Sequence, residues 1–283
     1  MKLLLTLVLL TVCKVSLCGI TITGKVVDST TGLPLEYVSI GVVNTSIGTI
    51  TDHTGSFKLD VSDQPTDAVV RFSMISYKSQ TFAINELSSG ENNIQLVSAP
   101  VKLAEVVVKP GKLRKVGVTS YTRLGNWCGW GGSQYRKGHE IGTKIELGNS
   151  MVFIKSLHFH IHRQAFDSSF FRLHIRSIFN NTPDQELLTQ NIIFPVTKES
   201  GWVEIDLSKY NIILKGDVAL TLECVKASGA NPDRAMSINK KIWTEYILIN
   251  EKSHKGILYS RWSTESQWNL RENNSPGIYL TVN

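Results

Sequence analysis

Six basic side chains alternate along two stretches in the second half of the chain. His158, His160 and His162 share one side of a stretch whose other side is Leu157, Phe159 and Ile161. Arg172, His174 and Arg176 stand in the same way against Phe171, Leu173 and Ile175. Side chains alternate with a period of two along a strand, so each triplet occupies one face, opposite an apolar one. A His-x-His pair can present two imidazoles to one metal ion, as in cupins and zinc enzymes. Here Lys155, Arg163, Arg172 and Arg176 would crowd a cation, and no glutamate follows His162 within twenty residues. The residues therefore argue against a metal or any other cofactor. If the two strands are neighbours, the triplets form a positive strip whose histidines charge as pH falls toward about 6. Such a strip suits an anionic partner, for example an acidic envelope polysaccharide. Its plain alternative is a solvated basic face.

A second candidate is the loop Trp127-Cys128-Gly129-Trp130-Gly131-Gly132. Exposed, its indoles would be flat platforms for sugar rings; buried, they would close the end of a sandwich. Cys128 and Cys224 can form a disulfide in an oxidising compartment. Closing that loop of about 95 residues would add ~4–5 kcal/mol on the chain-entropy model. Cys224 shares a strand side with Leu220 and Leu222, which suits a buried thiol equally well, and both readings stand.

Catalytic patterns are missing. The sequence has no Gly-x-Ser-x-Gly elbow, no His-Glu-x-x-His pair and no phosphate-binding glycine loop. No catalytic residue is assigned. Nucleic acid is not an expected partner either: the pI near 9.1 is basic, but no recognition motif accompanies it.

The start of the chain indicates export. Lys2 precedes an apolar run from Leu3 to Val12, and Ser16-Leu17-Cys18 offers small residues to a signal peptidase. The run falls short of the roughly 20 apolar residues that span a bilayer, so a cleaved signal peptide over 1–18 is expected. The rival is a lipoprotein signal lipidated at Cys18, which wants a small residue where Leu17 stands. No later segment reads as a transmembrane span. The expected location is the periplasm or the outer membrane and cell surface.

Two domains are expected beyond the leader. Residues 19–110 carry 6 Lys/Arg against 9 Asp/Glu, while 111–283 carry 22 against 15 and all six tryptophans. That shift, at Lys109-Pro110-Gly111, marks a boundary. In 19–110, short β-rich runs such as Thr21 to Val27, Tyr37 to Val43 and Phe57 to Val61 alternate with turn-formers, as in an antiparallel sandwich. In 111–283, runs such as Phe153 to Ile161, Phe171 to Phe179 and Val218 to Val225 suggest a jelly-roll-like sandwich of about eight strands. One helix is expected over Asp184 to Asn191. The fold class is thus all-β.

The order of residues in the first domain resembles a known family. Ile22-Thr23-Gly24-Lys25-Val26-Val27-Asp28, Gly32-Leu33-Pro34-Leu35 and Val38-Ser39-Ile40 open like a carboxypeptidase regulatory-like domain. Gly48-Thr49-Ile50-Thr51-Asp52-His53-Thr54-Gly55-Ser56-Phe57 is similar to that family's hairpin. Ile75-Ser76-Tyr77-Lys78-Ser79-Gln80 is similar to its Gly-Tyr-x-x-Gln segment, with Ser76 in place of the glycine. The resemblance implies a transthyretin-like sandwich of about seven strands that regulates or anchors and carries no catalytic residues. Independently of it, Gly55 suits a positive-φ turn whose amides Asp52 can bind. Leu103 to Pro110 resembles the segment after this domain in starch-utilisation-type outer-membrane transporters, although the 173 residues left cannot supply their plug and barrel.

The expected function is therefore a non-catalytic, exported cell-envelope protein that docks or binds a polysaccharide or an outer-membrane protein. The alternative is an envelope glycan or peptide hydrolase with its site in the second domain.

Overall fold

Alternation along the strands is what builds the first sheet pair. In Ser56–Asp60, Phe57 and Leu59 are buried while Lys58 and Asp60 face solvent. The computed structural model describes residues 20–87, 90–99, 111–121, 126–131, 137–238 and 240–283. The expected leader at 1–18, with Cys18, and the junction Lys109-Pro110 lie outside the described residues, as does Gly132.

Seven strands form the first unit: β1 (Thr21–Asp28), β2 (Ser39–Val42), β3 (Gly48–Ile50), β4 (Ser56–Asp60), β5 (Val69–Ser73), β6 (Gln80–Ala83) and β7 (Glu91–Leu96). They make two sheets, β4-β1-β7 and β3-β2-β5-β6, with β1 and β7 parallel and the other pairs antiparallel. Between them lies a core that includes Ile22, Val26, Ile40, Phe57, Phe72 and Leu96. The turn before β4 is built as its residues require. Gly55 has φ 73°, and a Cβ there would meet the Val26 carbonyl oxygen at 2.5 Å. Asp52 Oδ1 accepts the amides of Thr54 and Ser56 at 2.8 and 3.1 Å. Strand β2 departs from simple alternation, being buried on both faces. Its second face rests on the other domain.

The second unit contributes β8 (Arg114–Gly117), β9 (Trp127–Gly131), β10 (Glu140–Glu146), β11 (Val152–Gln164), β12 (Phe166–Phe179), β13 (Thr182–Glu186), β14 (Ile193–Val196) and β15 (Gly201–Asp206). It continues with β16 (Ile213–Leu214), β17 (Asp217–Ala230), β18 (Met236–Ile238), β19 (Lys241–Trp243), β20 (Tyr246–Arg261), β21 (Asn269–Pro276) and β22 (Ile278–Val282). Eight strands follow the order β13-β12-β17-β10-β20-β11-β22-β8, and five more pair beside that path. Long β20 serves both layers: its first part pairs with β9 and β11, its last part with β10 and β21. Leu157, Phe159, Phe171, Leu173, Leu220 and Leu222 are among the side chains of the enclosed core, which shares no residue with the first. The chain is all-β and sandwich-like, with three single-turn 3-10 helices among the described residues. None of its described helices is long and apolar enough to cross a membrane.

Two expectations need correction. The helix expected over Asp184 to Asn191 is not formed, because its first residues belong to strand β13. Glu186 holds that edge down by accepting the amides of Ile175 and Leu188 at 3.1 and 3.2 Å. Strands β11 and β12 are also not neighbours, since β17, β10 and β20 stand between them. A single buried residue, Ala165, links them. One residue is too short for a hairpin loop, so the chain turns a corner into the other layer. His158, His160 and His162 are thereby separated from Arg172, His174 and Arg176.

Candidate functional site

The outer face of β12, β17 and β10 carries charge where an apolar core might be expected. Alternation along β17 sends Leu220, Leu222 and Cys224 inward and Thr221 and Glu223 outward. Register then aligns a row across four strands. Arg172 on β12 is opposite Glu223 on β17, Glu223 opposite Glu140 on β10, and Glu140 opposite Arg261 on β20. Two glutamates side by side repel, and the flanking cations offset this. Glu223 Oε2 receives Arg172 Nη1 and His174 Nε2, each at 2.9 Å. Glu140 receives Arg176 Nη1 at 2.7 Å and Arg261 Nε at 2.8 Å, with the Thr221 hydroxyl at 2.8 Å. Glu186 closes the set by pairing with His174 Nδ1 at 2.6 Å.

Burial by itself would raise Glu140 and Glu223 above the usual carboxylate range. The guanidinium groups of Arg176 and Arg261 instead hold Glu140 well below it, and Arg172 with His174 holds Glu223 below it. Glu186, buried beside His174 and Arg176, is also lowered. His174 shows the reverse balance: burial and Arg176 disfavour its charge, but Glu140 and Glu186 raise its pKa.

The first domain closes over this row. Ser39 on β2 accepts from Arg172 Nη1 at 2.8 Å and donates to Glu223 Oε1 at 3.1 Å. Arg172 Nη2 donates to the Tyr37 carbonyl, and the Ser76 hydroxyl to the Thr189 carbonyl. Ser263 Oγ donates to the Thr45 carbonyl at 3.1 Å, and the Asn44 amide to the Glu265 carbonyl at 3.1 Å. Gly41 permits this approach, since a Cβ there would lie 2.8 Å from Glu265 Cγ. Ser76, where the family resemblance has glycine, keeps a positive φ of 73° and uses its side chain to reach the second domain.

Beside the buried row lies a cleft of about 490 Å³ between the two units. Arg71, Ser73, Ser76 and Ser79 are on its first-domain side; Asp184, Gln185, Glu186 and Glu265 are on the other, with Arg172, His174, Arg176 and Arg261 also reaching it. Glu265 differs from the other acids. Burial raises its pKa, opposed by Arg71, whose guanidinium is 3.8 Å away and so beyond hydrogen-bond reach.

Glu140, His174 and Glu223 bring one potential ligand atom each to within 4.8 Å of one another. Those carboxylates already accept from three guanidinium groups, so a cation would have to displace arginines to enter. This donor set does not fit a metal.

Of the residues singled out in the sequence, Arg172, His174 and Arg176 reach the cleft, but buried and ion-paired rather than as an open positive strip. His158 and His160 are buried elsewhere, on the outer face of β11, and burial lowers the pKa of both. His158 stacks on Tyr279 at 4.3 Å, and His160 lies between Tyr121 at 3.9 Å and Trp202 at 5.1 Å. Only His162 of the triplet is exposed. Trp130 is 1% exposed, donates to the His139 carbonyl at 2.7 Å and packs on Phe171. Trp127 packs edge-on against Trp243 at 6.1 Å. The pair thus forms no shared shelf. Cys128 and Cys224 are both buried and stand as thiols in the structure.

Glu140, Glu186, Glu223, Arg261, Arg71 and Glu265 were missed. For Glu223 a signal existed: an acid on the face of β17 opposite Leu220, Leu222 and Cys224. Its partners lie up to 184 positions away in sequence, as Ser39 does, and only strand register and domain docking bring them together.

Residues 22–108 match the family model described as CarboxypepD_reg-like domain. No curated protein matches the chain. Among solved structures, the cysteine protease and lectin-like domains of Cwp84, a surface layer associated protein of Clostridium difficile, align at TM-score 0.40 and 10% identity, over 93% of this chain and 63% of that one. The clostridial Cwp84 after propeptide cleavage aligns at TM-score 0.38 and 10% identity, over 93% and 70%. The chain spans less than two thirds of the first of these structures. At such scores the likenesses carry no argument.

Proposed function

We propose that this chain is an exported cell-envelope protein that binds rather than catalyses, with its ligand in the cleft between the two sandwiches. One observation carries the reading: Glu140, Glu186 and Glu223, in the buried row beside the cleft, are tied to arginines and His174 and held ionised. An acid in that state cannot deliver a proton near neutral pH, so the buried row acts as scaffold. Ligand sites favour concave surfaces between domains, and this one falls in the usual range of roughly 300–1,000 Å³. The match to a regulatory-like domain, a family whose resemblance implies anchoring, supports docking by the first sandwich. The occupant is a polysaccharide segment or a loop of an outer-membrane protein.

Glu265 favours the second reading, an envelope glycan or peptide hydrolase, because it is a cleft acid with a raised pKa. A glycan and peptide array run beside a hydrolysis screen separates the two. Retention without turnover is expected; product formation that Glu265→Gln abolishes would overturn the binding reading. Export is tested by mass spectrometry of the chain from its native envelope. Cleavage near Cys18 or Gly19 is expected, and an intact Met1 would contradict it. A diacylglyceryl Cys18 would place the protein on a lipid anchor.

A further inference from the structure

The positive groups that suggest an anion site are not available to a ligand. Arg172 pairs with Glu223, and Arg176 and Arg261 pair with Glu140. His174 is held between Glu186 and Glu223. What remains for an occupant is a different set. Glu265 lines the cleft, and its carboxylate makes no hydrogen bond among the described residues. Asp184 is exposed at the rim and has no ion pair among them. Against these two acids stands one cation, Arg71, exposed, donating to Ser79 Oγ at 3.2 Å and paired with Glu265 across 3.8 Å.

We infer that the cleft selects an uncharged, hydroxyl-rich ligand, a neutral saccharide, and that Glu265 sets this selectivity. The inference rests on the cleft being the ligand site. Its logic is one of donors and acceptors. A ligand carboxylate only accepts hydrogen bonds, and an ammonium only donates. The cleft offers both an acceptor without a hydrogen bond, the Glu265 carboxylate, and a donor, the part of the Arg71 guanidinium not bonded to Ser79. A hydroxyl group can satisfy both kinds at once, and Ser73 and Ser79 extend the same two-way bonding along the wall. Charge points the same way. Glu265 already offsets the charge of Arg71 across 3.8 Å, so a uronate brought to Arg71 would also approach Glu265 and Asp184 in a site partly withdrawn from water, where like charges repel more strongly.

The test is isothermal titration of the full chain with cello- and manno-oligosaccharides and with oligoglucuronates and oligomannuronates of the same length. At least one neutral oligosaccharide should bind, and its uronate counterpart at least tenfold more weakly. Glu265→Gln removes the acid with little change of shape; it should shrink that preference to within about threefold, at an unchanged thermal midpoint. Arg71→Gln should weaken the neutral ligand without creating uronate binding. Equal or tighter uronate binding by the parent, or an unchanged preference in Glu265→Gln, would overturn the inference, as would failure of every saccharide. Ser79→Trp, which fills the mouth from an exposed position, isolates the underlying premise. Binding that survives it defeats the cleft as the site, whereas binding that it abolishes but that ignores charge defeats only the selectivity.

Discussion

Arg172 and Glu223 face one another on adjacent strands and form a 2.9 Å ion pair that the first domain closes from solvent. The same guanidinium also reaches Ser39 and the Tyr37 carbonyl across the domain boundary. The pair is thus a joint as much as an interaction within one sheet. Charges removed from water are retained only when partners satisfy them on every side, and here those partners come from both sandwiches.

Breaking that pair from one side should be costly. Arg172→Met leaves Glu223 buried with less compensation, and about 3–5 kcal/mol of stability should be lost. The double variant Arg172→Met/Glu223→Leu should recover much of it. Urea titration of the parent, Arg172→Met, Glu223→Leu and the double variant gives the coupling, and additive losses would show that the two side chains do not act as a unit.

Stability should fall on the acid side. The folded pKa values of Glu140, Glu186 and Glu223 lie below their ordinary value. Their contribution is therefore present above the unfolded carboxylate range and lost as pH falls through the lowered values. His139 acts in the same direction: burial lowers it to about 4, so below its ordinary 6.5 the unfolded chain takes up a proton that the folded one does not. His174 has the opposite sign. Its raised pKa stabilises below its ordinary value, and that part is lost as pH rises through the folded value. Thermal midpoints measured from pH 3 to 9 should drop toward acid, and His174→Gln should remove the alkaline slope.

Gly55→Val should cost ~1–3 kcal/mol, the price of a β-branched residue at positive φ. Its Cβ would also press on the Val26 carbonyl, 2.5 Å away. Unfolding at the parent's denaturant midpoint would refute the turn.

Both thiols should count as reduced. Thiol titration in denaturant without reductant should find Cys128 and Cys224 both reactive in the mature chain. In the native protein Cys128 should react slowly, because burial pushes its thiol well up, with Glu251 adding to the effect. A single band shift on reduction would instead reveal a bond between them.

Local residue order was enough for several features. Period-two alternation marked β1, β4, β11, β12 and β17 and their apolar faces, because a side chain's face depends only on its place in its own strand. The tight turn at Asp52 and Gly55 and the regulatory-like domain were legible for the same reason: their defining residues are neighbours in sequence. What the outward face of a strand meets is a different matter. His158 and Arg172 read as one strip only if β11 and β12 adjoin, and the corner at Ala165 puts them in different layers. The charge on Arg172, His174 and Arg176 reads as available to a partner in the sequence, but Glu140, Glu186 and Glu223 neutralise it. That pairing is decided by cross-strand register and by the docking of β2, both long-range contacts. A buried charge is stable only where such contacts surround it, so the tertiary structure alone determined whether these groups bind a ligand or hold two domains together.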